Sequence, residues 1–169
     1  PMRAQILSLY ASTLADAERL VGDVPCERFA ELPYADAKHP AWVLAHLALG
    51  SGMMVGCLRG NAEDLGGVPG AWMNACAPGK PIVGDRALYA TKDELLDALL
   101  AVHTTLAGAF ESASDAALAA PFPIEAYRDY FPTNAAAAVY LMAHHEGYHL
   151  GQMSQWRRAA GFGPSAVDD

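Results

Sequence analysis

The chain has 169 residues, 53% of them hydrophobic and 18% charged. That length suits one domain with a core of its own, and that composition excludes wholesale disorder. Eleven Lys and Arg against nineteen Asp and Glu leave a formal charge of −8. Such a balance argues against nucleic acid and against an anionic membrane surface as partners, because both are bound through Lys and Arg.

Cys26, Cys57 and Cys76 are an odd number without C-x-x-C spacing. Neither a disulfide framework nor a Cys-based zinc knuckle is expected. Residues 1–5 lack the apolar run of a signal peptide. The most apolar stretch, 42–58, is interrupted by His46, Gly50, Gly52 and Gly56 and reads as too short for a membrane span. The expectation is a single domain over 1–169 in a reduced, cytoplasmic setting.

The first predicted helix covers 2–21, where Ile6, Tyr10, Leu14, Ala17 and Val21 recur every three or four residues and Gly22 is a stop. A connector with Pro25 and Pro33 follows. The second helix starts at Pro40, a residue suited to the first turn, and runs through Trp42, His46 and Leu49 to about Arg59. Residues 60–90 are rich in Gly and Pro and are predicted as a long loop. Thr91-Lys92-Asp93-Glu94 has the pattern of a capping box and opens the third helix, with Leu95, Leu99, Val102, Leu106 and Phe110 on its stripe. A second connector, 112–131, carries Pro121 and Pro123. The fourth helix follows Pro132, with Thr133 as N-cap, and extends to Ala160 before Gly161. With no strand predicted, this is an all-α chain: a four-helix bundle with long crossover loops.

The chemistry concentrates in the fourth helix. His145 and His149 are i and i+4 and share one face, a half-made site for a divalent metal. Such pairs also occur on inert helix faces. An apolar helix favours the ligand reading, since buried imidazoles need partners. His144 points about 100° away and is not expected to join them. On the second helix, His46 lies one turn after Trp42 among apolar neighbours. A histidine placed so is as a rule a hydrogen-bonded core residue, but beside a helix carrying His145 and His149 it becomes a candidate third ligand.

Trp42-x-x-x-His46-Leu47 together with His145-Glu146-x-Tyr148-His149-x-Gly151-Gln152 resembles the DinB-like superfamily of damage-inducible four-helix-bundle proteins. The resemblance covers essentially the whole chain. It implies a divalent metal, Zn or Ni before Mn or Fe, held by His46, His145 and His149 with open positions for water. It also implies chemistry on a small molecule: thiol-dependent S-transfer, with a low-molecular-weight thiol as co-substrate, or hydrolysis. A homodimer is implied as well. An ion with three neutral ligands keeps its full charge and lowers the pKa of a bound water or thiol. The alternative is a non-catalytic metal or small-ligand binding module.

The same letters match H-E-x-x-H, in which Glu146 would be the general base of a metalloprotease. No His or Glu follows His149 as the usual third ligand, so this ranks below the other readings. Glu146 and Gln152 remain the candidate catalytic residues. Gly147 and Gly151 are expected to admit a neighbouring helix, and Tyr148 is expected in the core with a polar tip. His39 reads as a helix-start residue and His103 as a lone histidine on the third helix. Arg157 and Arg158 are read as complementing the last helix dipole. Cys57 is too far along the second helix to share the ion, and Cys76 is read as buried or incidental. Loops carrying Trp72 and Phe131 are expected to line a substrate cleft.

Overall fold

Proline, glycine and capping side chains set the helix boundaries in the computed structural model, which describes residues 2–61 and 63–165. The domain expected over 1–169 therefore includes six residues, 1, 62 and 166–169, that lie outside the description. Seven α-helices occur among the described residues: α1 (Met2–Val21), α2 (Pro40–Arg59), α3 (Met73–Cys76), α4 (Lys92–Ser112), α5 (Asp115–Ala119), α6 (Asn134–Val139) and α7 (Glu146–Ala159). A π-helical stretch, Tyr140–His145, joins α6 to α7 into one rod. That rod packs with α1, α2 and α4 as a four-helix bundle. No strand occurs among the described residues, only an isolated bridge pairing Pro121 with Thr133.

The caps act as local chemistry predicts. Thr91 and Glu94 close a reciprocal capping box on α4, and Thr133 accepts from the Ala136 amide at 3.2 Å to open α6. Pro40 occupies the first turn of α2, and Gly60, at φ 71°, terminates that helix in the left-handed region. Lys92 donates to the carbonyls of Val21, Gly22 and Val24 at 2.7–3.0 Å, satisfying the orphan acceptors at the end of α1.

The core lies between α2 and α4, where Leu44, Leu47 and Met54 meet Leu95, Leu99 and Leu106, with Met142, Met153 and Trp156 closing it from the last rod. Each such side chain contributes ~1.5–3 kcal/mol through its removal from water. By length and composition α2 could cross a membrane, yet most of its apolar window is buried inside the bundle. Gly52 and Gly56 explain part of its peculiar composition. A Cβ on Gly52 would sit 2.2 Å from the Leu65 carbonyl oxygen and one on Gly56 2.3 Å from that of Asp64. The loop backbone rests directly on the helix there, and only glycine admits it.

Three expectations need revision. The 60–90 loop is not structureless: it holds α3 and two 3₁₀ turns, Gly70–Trp72 and Arg86–Leu88. The 112–131 connector holds α5. The last rod is not uniformly α-helical, because the π stretch widens it just before the histidine pair. Wide turns of this kind recur at functional sites.

Candidate metal centre

His46 comes from the middle of α2, His145 from the end of the π stretch and His149 from the first turns of α7. One ligand atom from each lies within 4.8 Å of the other two. His46 and His149 are 7% and 6% exposed, and His145 is half-buried. The rings of His145 and His149 stand 4.6 Å apart and nearly perpendicular, as i, i+4 neighbours on one face can.

Hydrogen bonds behind the rings orient them. His46 donates from Nδ1 to the Cys76 carbonyl at 2.8 Å. His149 donates from Nδ1 to Gln152 Oε1, also at 2.8 Å. Both tautomers are thereby set with the hydrogen on Nδ1 and the lone pair on Nε2, as is usual for histidines that ligate a metal. His145 Nε2 lies 3.1 Å from His46 Nε2. Because the His46 hydrogen is on Nδ1, His145 donates in that pair. Two imidazole nitrogens on a tetrahedral zinc at ~2.0–2.1 Å lie about 3.3 Å apart, so the observed spacing fits a shared ion.

Burial holds the imidazoles neutral. Desolvation, joined by the charges of His149, His46 and His144, pushes His145 down to about 3. Desolvation and the proximity of His46 push His149 down to about 4. Burial also lowers His46, against the opposing bond to Cys76. Neutral imidazole is the ligating form, so the cluster could hold a metal ion.

Trp42 walls the site. Its indole stacks on His46 at 4.4 Å and meets His149 edge-on at 5.6 Å. His39 positions this part of α2: its Nδ1 accepts from the Trp42 amide at 3.2 Å and its Nε2 donates to the Val83 carbonyl at 3.1 Å. The reading of His39 as a helix-start residue holds, with a tie to the long loop added.

A family model described as the DinB superfamily matches residues 9–153. The chain belongs to the DinB superfamily. Comparison with curated proteins and with solved structures gave no match.

In this DinB superfamily member Glu146 stands apart from the three-histidine cluster. It is 2% exposed, and its carboxylate accepts from His103 Nε2 at 2.8 Å and from the Thr13 hydroxyl at 2.6 Å. Tyr10 stacks on His103 with ring centres 3.7 Å apart, and its hydroxyl bonds Ser51 at 2.8 Å. Burial, with the Glu146 charge beside it, holds the Tyr10 phenol well above its ordinary range. Four helical elements thus meet in one buried polar network, and both Glu146 oxygens have protein donors. The H-E-x-x-H geometry, with Glu146 turned toward the histidine cluster, is not formed. His103, unpartnered in the sequence reading, is the residue that holds it. An acidic residue inside an apolar helix and a histidine on the α4 stripe are the only signals that point to this pair, and neither names its partner.

Gln152 orients His149 rather than standing free. His144 is exposed and stacks on Tyr140 at 5.0 Å, outside the cluster as expected. Gly147 and Gly151 admit no helix: a Cβ on either would meet nothing within 4 Å. Tyr148 is 57% exposed instead of buried. Arg157 clamps Asp23 with two nitrogens and also donates to the Leu20 carbonyl at 3.0 Å, joining α7 to the end of α1. Its role is therefore a buried tie and not only a dipole charge. Cys76 is buried, and burial pushes its thiol up to about 12; its backbone carbonyl is what serves the site. Trp72 and Cys76 line a cleft of about 300 Å³ beside Ala45. Phe131 reaches the site only through Tyr140, 4.8 Å from it, whose ring lies 5.9 Å from His145.

Proposed function

We propose that this DinB superfamily member is a metal-dependent enzyme acting on a small molecule, with His46, His145 and His149 holding one divalent ion. Thiol-dependent S-transfer is the first reaction class and hydrolysis the second. The observation that carries the reading is the convergence of three neutral imidazoles, two of them, His46 and His149, oriented by the Cys76 carbonyl and by Gln152. A bound ion supplies Lewis acidity that brings a thiol or water toward its nucleophilic form near neutral pH. The chain's own residues supply the rest. Cys76 and Gln152 hold the rings in the ligating tautomer, and Trp42 shields one side of His46 and His149 from water. His145, half-buried, leaves its own side of the cluster open for a small substrate.

A binding module without turnover is the second reading, favoured by the commitment of Glu146, the carboxylate between the paired histidines in sequence, to His103 and Thr13. A reducing, cytoplasmic setting and a homodimer complete the proposal. The three free cysteines suit the first. The exposed Gly147 and Gly151 surface offers room for the second.

Metal analysis by mass spectrometry on untagged protein tests the reading. About one ion per chain is expected in the wild type, and a small fraction of that in His46→Ala and in His149→Ala. Wild type that stays empty after incubation with Zn, Ni, Mn and Fe overturns it. Turnover of thiol or ester substrates that disappears with the metal separates the enzyme from the binding module.

A further inference from the structure

Tyr140, His144 and Tyr148 recur every four residues along the last rod, one stripe over from His145 and His149. Their rings follow one another in near-parallel order. Tyr140 and His144 have centres 5.0 Å apart and planes 23° apart, and His144 and Tyr148 are at 6.4 Å and 7°. Both ends of the row border the cluster. Tyr148 meets His149 edge-on at 5.1 Å, and the Tyr140 ring lies 5.9 Å from that of His145. Phe131 props Tyr140 at 4.8 Å and packs in turn on the buried Phe122. Yet the row is open to solvent: Tyr140 is half-buried, His144 exposed and Tyr148 57% exposed.

The three histidines thus lie between two aromatic walls of opposite exposure. Trp42 is buried, whereas the row presents its rings on the side where His145 leaves the cluster open. Rings held in water forgo the burial that such side chains ordinarily gain. Rings already ordered by their neighbours lose little freedom when a ligand covers them. A flat aromatic ring uses both features, through apolar area removed from water and through offset or edge-to-face contact. A cationic group would also suit a tyrosine face, but a divalent ion in the cluster repels it. We infer that Tyr140 and Tyr148 are substrate-binding residues, and that the small molecule taken by the three-histidine site carries a flat aromatic ring, which packs on this row while another atom of the same molecule faces the histidines. The inference rests on the proposed metal-dependent reading and narrows its substrate class.

The test uses the full chain loaded with cobalt(II), whose absorption reports a thiol entering its coordination. Two probes of like size are titrated, 2-phenylethanethiol with a flat ring and 2-cyclohexylethanethiol with a puckered one. The wild type is expected to bind the aromatic thiol about fivefold more tightly, the effect of one ring-on-ring contact. Tyr148→Leu, at a position too exposed to disturb the core, is expected to bring the two within about twofold of each other, and Tyr148→Phe to keep the preference. In zinc-loaded protein the aromatic thiol should shift the Tyr148 ring protons upfield in the NMR spectrum, and the cyclohexyl thiol should not. Tyr148→Leu should hold cobalt alone as tightly as the wild type, because that ring is no ligand; weaker cobalt binding would mean a damaged cluster and overturns the inference. Equal binding of the two thiols by the wild type, or a preference that survives in both Tyr148→Leu and Tyr140→Leu, overturns it too. So does a homodimer that Tyr148→Leu dissociates in sedimentation, which would give the row to a second copy. In each of these cases the metal reading stands. Failure of the wild type to take up cobalt overturns both.

Discussion

The last rod carries two polar clusters, and they differ in how far they are satisfied. On one side, Glu146, His103, Thr13, Tyr10 and Ser51 close on themselves, every named group bonded or stacked within the protein. On the other, His46 and His149 are held from behind, and the nitrogens of these two and of His145 face one another. Both clusters are buried, so burial does not distinguish a structural network from a binding site. What distinguishes them is whether the protein supplies the last partner. The closed network ties α1, α2 and α4 to the rod; the open one is left for a ligand.

The strongest way to break this contrast is Glu146→Ala. It leaves His103 without an acceptor in the core and Thr13 with the Tyr10 carbonyl alone, and is expected to lower stability by ~3–5 kcal/mol. The same truncation at His149 in metal-free protein is expected to take about 1–2 kcal/mol. Urea denaturation of both variants checks the pair, and equal losses would erase the distinction.

Acid tests the open cluster next. His39 and His149 are held at about 4 and His145 at about 3, against about 6.5 in the unfolded chain. These folded values lie below the unfolded one, so the unfolded chain binds more protons as pH drops. The stability these groups contribute is complete above pH 6.5 and is lost as pH falls through about 4. The Tm of metal-free protein should therefore fall steadily from pH 6.5 to 4.5. A flat profile would mean that the imidazoles are not desolvated.

Gln152→Ala sharpens the comparison from the ligand side. It removes the acceptor that sets the His149 tautomer, and metal affinity is expected to weaken ~10–100-fold in a competition titration. Stability without metal should change little. The smallest effect is expected at Gly147, whose exposed surface belongs to neither cluster. Since a Cβ there would meet nothing within 4 Å, Gly147→Ala should raise stability by ~0.5–1 kcal/mol through helix propensity alone. A loss that depends on protein concentration would instead place a second copy on that face.

Much of this was legible locally. The capping box at Thr91, the N-cap at Thr133, the start of α2 at Pro40 and the i, i+4 pairing of His145 with His149 depend on residues a turn or two apart. The family pattern extended that reach to His46. Illegible were the contacts between distant segments. His103 and Glu146 are 43 residues apart, and Cys76 serves His46 with a backbone carbonyl, a group every residue carries. The same limit explains the errors at Gly147, Gly151 and Tyr148. Small and aromatic residues beside a histidine pair suggest close packing, but the wide π turn and the neighbouring helices decide which side faces solvent.

The amino-acid sequence by itself determined the helices, their order and the pair of imidazoles on one face, because periodicity and caps act within a few residues. Only the tertiary structure decided that Glu146 closes a network while His46 joins the open one. That choice depends on which helices touch, and it is made by packing and by desolvation, which no short stretch of sequence encodes.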